Sequence, residues 1–271
     1  MGAGGFFNYD KPGPGISKDG PKKKNFFVIL EIWFRNFWKL ITVNFIYCLL
    51  KVLIIPSGLA DAGMTNVARN LARDKHSFGI SDFYETIRKN WKQALPAGII
   101  NTVVTAALAF AIHFYCYGKD VWSIVGFGFS VALFIVFTFM KYHVWLIIIT
   151  FKLRLSQIYK NSFLFVFVNI KNNIIIGLAT LLLYAGVIAL FFIPYYFVWL
   201  IALLIAVLIL PGFINILTQM LIFPKVKKMM IDPYYEEHPG EDVELRRGLG
   251  LEIEEEDKAV FDDNAANKKS E

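Results

Sequence analysis

The side chains with chemical potential in this chain are few and sit in apolar surroundings. Asn215, Thr218 and Gln219 recur at i, i+3 and i+4 beside Pro211-Gly212, and Asn101, Thr102 and Thr105 form a second polar patch. Amides and hydroxyls at helical spacing in an apolar run bond neighbouring helices together. Where a Pro-Gly pair frees backbone carbonyls, they can also line a polar pocket, for which Asn101, Thr105, Asn215 and Gln219 are the candidate residues. The cations Arg69, Arg73, Arg88 and Lys92 lie in a polar connector and are candidates for docking a partner. Lys141 and His143 are expected at the headgroup level, and His113 near the opposite interface.

Motifs for catalysis are lacking. The sequence holds no Gly-rich phosphate loop, no His-Glu-x-x-His and no nucleophile elbow, and Cys48 and Cys116 sit in no metal-ligand or redox spacing. An ATPase or a metalloprotease is excluded, no catalytic residue, cofactor or metal is assigned, and the expectation is a protein that is not an enzyme.

The elements carrying these residues are membrane helices. Hydrophobic residues make up 56% of the 271, and from Asn172 to Pro224 there is no Asp, Glu, Lys or Arg over 53 residues. A bilayer core of about 30 Å takes about 20 apolar residues per helix, so this run holds two spans with Pro194 at the turn. Earlier spans are expected at about 37–55, 95–117 and 121–140, the third continuing as one long helix toward Leu153. The predicted fold is an all-α polytopic bundle of about five transmembrane helices with amphipathic cytoplasmic connectors.

Charge places the ends. Residues 232–271 carry 14 acidic and 5 basic side chains, while the preceding 231 carry 23 basic and 8 acidic. Lysines and arginines held at a cytoplasmic headgroup layer account for the basic body, and no nucleic-acid partner is expected. Residues 1–25, rich in Gly, Pro and Lys, are predicted to be a flexible arm without a signal peptide; 26–230 form the membrane domain; 231–271 form an acidic, disordered tail. The connectors 56–94 and 152–171 hold six and four basic residues and face the cytoplasm. Five crossings then put the N-terminus outside, against Lys22-Lys23-Lys24. The first span is the weakest, short and interrupted by Asn44 and Lys51, with Lys51 near enough to its end to reach the headgroups; the alternative is that segment 26–55 dips into the membrane without crossing.

The layout Arg35-Asn36-Phe37-Trp38-Lys39-Leu40 with Asn44, Ile55-Pro56, Ala60-Asp61-Ala62-Gly63-Met64, Asp82-Phe83 and Lys89-Asn90-Trp91-Lys92-Gln93-Ala94 resembles the YesL-like family of bacterial membrane proteins over roughly residues 26–225. The resemblance implies a multi-pass protein of the bacterial plasma membrane. It implies an accessory or regulatory subunit linked to carbohydrate ABC import, with importer permease subunits and the lipid bilayer as partners. It supplies no catalytic residues. A self-contained permease or channel for a small polar solute is the alternative that the polar patches suggest.

Overall fold

Apolar runs in the sequence become helices wherever their length allows. The computed structural model describes residues 25–73 and 77–233, among which there are helices and turns but no strand. The N-terminal arm with Lys22 to Lys24, and the acidic tail beyond 233, lie outside the described residues.

The chain runs through α1 (Asn25–Arg35), α2 (Phe37–Val52), α3 (Ser57–Ala72), α4 (Ile80–Cys116), α5 (Val121–Thr150), α6 (Leu155–Val168), α7 (Ile170–Leu190), α8 (Tyr196–Leu204) and α9 (Leu210–Val226), with π-helical turns at Ile205–Ile209 and Lys227–Ile231. Among the described residues, four helical runs are long and apolar enough to cross a bilayer: Ile80–Cys116, Val121–Thr150, Ile170–Leu190 and Tyr196–Ile231. The described residues form an all-α membrane bundle with four such helices.

The remaining expected span, 37–55, takes another form. The amphipathic segment starting at Phe26 breaks at Asn36, and α2 has only 16 residues, about 24 Å at 1.5 Å per residue. Its beginning lies against the beginning of α4: Lys39 Nζ donates to Ser77 O at 3.2 Å, and a Cβ on Gly79 would sit 3.6 Å from the side chains of Lys39 and Val43. Between these points the chain goes out along α2, turns at Leu53–Pro56 and returns along α3. Since α3 returns the chain to where α2 began, the pair is a helical hairpin with both ends on one side. The outer face of α2 and the tip, Phe45, Leu49, Val52, Leu53, Ile54 and Ile55, are apolar and exposed, as a lipid-facing surface requires.

The hairpin is held by close backbone contact. Helix α3 runs antiparallel to α4, pairing Gly58 with Gly98 and Asn66 with Thr86. A Cβ on Gly98 would fall 2.6 Å from the Gly58 Cα, and one on Gly58 would collide with the Ala94 carbonyl. Such glycine contacts let backbones approach where apolar burial alone gives little drive inside lipid. Helix α4 runs 37 residues from Ile80 through Pro96, so its polar first turns are continuous with the span that follows. Asp82 lies in its first turn. It accepts from Ser77 Oγ at 2.8 Å and Phe78 N at 3.1 Å, securing the turn from α3, while Glu85 pairs with Lys89.

Candidate functional site: a charge cluster inside the bundle

The last turns of helix α2 carry Tyr-Cys-Leu-Leu-Lys before Val52, and helical spacing puts Tyr47 and Lys51 on one face. Opposite them on α3 stands Asp61, the fifth residue of that helix. Lys51 Nζ lies 2.8 Å from Asp61 Oδ2, and the Tyr47 hydroxyl donates to Asp61 Oδ1 at 2.9 Å. Both carboxylate oxygens are thereby committed. The Asp61 side chain is 17% exposed and that of Lys51 38%. Lys51 therefore turns back into the hairpin, toward α3. An acid reaches the bundle from the 56–94 connector, although the spans expected from sequence contained none.

A second lysine enters from α5. Lys141 Nζ donates to Thr105 Oγ1 on α4 at 3.3 Å, lies 5.9 Å from the Phe137 ring centroid, and is within electrostatic range of both Asp61 and Lys51. Lys141 is thereby packed between α4 and α5. His143, further along α5, is fully buried, bonded at 3.1 Å to Asn173 Oδ1 and stacked on Phe165.

The broken stretch before Pro211-Gly212 forms the wall beside α2. The π-helical turn Ile205–Ile209 frees carbonyls, and they meet protein donors: Asn44 Nδ2 donates to Leu208 O at 2.6 Å and Cys48 Sγ to Val207 O at 3.4 Å. Gly212 belongs to the same contact, because a Cβ there would come 2.8 Å from the Asn44 amide.

The four residues expected to share a polar pocket are distributed over two places. Asn215 donates to Pro211 O in its own helix at 2.8 Å, and Gln219 is buried with its amide oxygen unpartnered. On α4, Asn101 Oδ1 accepts from the Tyr159 hydroxyl at 2.9 Å, and Thr105 meets Lys141. Helices α3 and α5 both pack on α4 and on α9 and stand between the two sets. Only Thr105 belongs to the charge cluster.

The four docking candidates also separate. Arg69 is 5% exposed, with Nη1 on Thr150 Oγ1 at 3.1 Å and Nη2 on Asn66 Oδ1 at 2.7 Å; it ties α3 to α5 and is closed to a partner. Arg73 covers the Phe223 ring at 4.7 Å. Arg88 and Lys92 stand exposed on one face of α4, near exposed Tyr84 and Trp91. Sequence reasoning missed Tyr47, Lys51 and Asp61 as a set. The available signal was an acid ten residues from a lysine across Ile55-Pro56, a spacing that acquires meaning only once the chain turns there.

No group of three or more His, Cys, Asp or Glu side chains able to hold a metal occurs among the described residues. No curated protein and no solved structure matches the chain. Residues 27–112, which span α1, the hairpin and most of α4, match the family described as a protein of unknown function, DUF624; over that stretch this membrane-helical chain is similar to an uncharacterised family.

Proposed function

We propose that the protein is an accessory or regulatory membrane subunit, without catalytic activity of its own, that serves carbohydrate ABC import in a bacterial plasma membrane. The observation that carries the subunit role is the cation-aromatic face of α4, where Tyr84, Arg88, Trp91 and Lys92 are exposed although the hairpin and α5 cover other faces of the same helix. Arginine and aromatic side chains are enriched where proteins meet. The importer as partner rests on the YesL-like resemblance alone. Co-purification from detergent with importer permease subunits tests it: the wild type is expected to bring them down and Arg88→Glu/Lys92→Glu to lose them. Recovery of the wild type always alone would overturn the reading.

A second reading, a permease for a small polar solute, draws support from the charged cluster at Lys51, Asp61 and Lys141, since ionised side chains among membrane helices mark solute paths more often than structural ties. Uptake of solute by reconstituted vesicles, abolished by Lys141→Met, would favour it over the accessory role.

A further inference from the structure

The charges inside the bundle do not balance. Lys51 is paired with the one carboxylate, Asp61, at 2.8 Å, while Lys141, held on Thr105 of α4 at 3.3 Å, brings a second ammonium into the field of both. The other acids in the described residues are placed elsewhere: Asp82 on the Ser77–Phe78 turn, Glu85 on Lys89, Asp120 capping α5, Glu31 on α1 and Asp232 at the end of the last run. Asp61 spends one oxygen on Lys51 and the other on Tyr47. Among the described residues, Lys141 is left with a single neutral acceptor, the Thr105 hydroxyl, and an aromatic ring. An ammonium carries three donors, and removing it from water is costly without a counter-charge.

We propose that Lys141 and Lys51, together with Thr105 beside the tip of the α2–α3 hairpin, bind one anionic group, a phosphate or a carboxylate. Such a group would take the free donors of Lys141 and neutralise the surplus positive charge through charge-assisted hydrogen bonds. The cluster is reachable: the Lys51 side chain is 38% exposed, and the adjoining tip residues Leu53, Ile54 and Ile55 are each about 60% exposed. The same chemistry could come from a lipid headgroup arriving through the bilayer or from a free anion. The inference does not depend on the α4 docking face.

The full chain purified in neutral detergent, titrated with inorganic phosphate in one arm and with short-chain phosphatidylglycerol against phosphatidylcholine of equal chain length in the other, distinguishes these sources by thermal midpoint. Saturable stabilisation by at least one anion is expected, weakened about tenfold or more by Lys141→Met, the scale of losing one partly screened charge, and weakened less by Lys141→Arg. Stabilisation by phosphate assigns a soluble anion; stabilisation by phosphatidylglycerol alone assigns a lipid. Asp61→Asn removes the competing carboxylate and is expected to tighten the same binding, which keeps the test decisive should Lys141→Met fail to fold. No saturable response to either anion, or a Lys141→Met protein that binds as the wild type does, or an Asp61→Asn protein that binds more weakly, overturns the proposal.

Discussion

Asp61 owes its position to its neighbours more than to its own helix. A carboxylate among lipid-embedded helices is tolerated when paired and hydrogen-bonded, and Lys51 and Tyr47 provide both. Removing one partner leaves the other uncompensated. Lys51→Met or Asp61→Asn is expected to cost about 1–3 kcal/mol, below the figure for a sealed pair because Lys51 is partly exposed. The double variant is expected to be more stable than the sum of the two losses, as a double-mutant cycle of thermal stability would read. At the hairpin tip, Ile54 has φ +58°, a region that a β-branched residue rarely adopts. Ile54→Gly should raise the thermal midpoint, by about 1 kcal/mol of relieved strain, since the isoleucine side chain is mostly exposed and little packing is lost.

The hairpin stays folded because α3 can lie directly on α4. Gly58 and Gly98 are the positions at which side chains would prevent it, so Gly98→Val is expected to destabilise by about 1–3 kcal/mol, or to abolish folding; the fraction recovered as a monodisperse species measures this. Helix α5 begins on a side-chain cap, Asp120 accepting from Ser123 N at 3.1 Å and Ser123 Oγ at 2.6 Å. Those bonds from Ser123 hold the Asp120 carboxyl below its usual range. A depressed carboxylate contributes stability above its unfolded pKa and loses it as the pH falls through the folded value. Asp120→Ala should therefore melt earlier than wild type at neutral pH, and the difference should close as the solution is acidified below the usual carboxylate range. A gap that persists in acid would mean that the aspartate does not act through its charge.

Four spans after Gly79 would return the chain to the side from which it started. With a hairpin in place of a first span, α1, residues 77–79 and the run ending at Ile231 are then expected on one side, which the basic connectors predict to be the cytoplasm. The five-span reading sets that rule against Lys22 to Lys24, whereas four spans with a hairpin would satisfy both. In a background of Cys48→Ala and Cys116→Ala, single cysteines at Asn36 and Lys228 should react with a membrane-impermeant thiol reagent only from the cytoplasmic side, and one at Lys119 only from the opposite side. Labelling of Asn36 from the same side as Lys119 would restore the fifth crossing.

Four long apolar helices and their order follow from the sequence alone, because twenty uncharged apolar residues in water have nowhere to go; the flanking lysines and arginines predict which face is cytoplasmic. The turn at Pro194 and the long reach of α5 were legible for the same local reason. The exposed pair Arg88 and Lys92 could also be read as surface, being cations four residues apart on a polar helix face. What the tertiary structure decided was every feature that depends on which segments meet. A 16-residue apolar helix is long enough to suggest a crossing, and only its contact with Gly79 shows that it turns back. Arg69 looks like a surface cation until α5 brings Thr150 to it. The carbonyls beside Pro211-Gly212 look open until Asn44 and Cys48 fill them. Lys51, Asp61 and Lys141 are separated by up to ninety residues, and hydropathy places each in a different environment. Their meeting is a matter of packing, because the electrostatic energy that couples them depends on distance in space and is invisible to spacing along the chain.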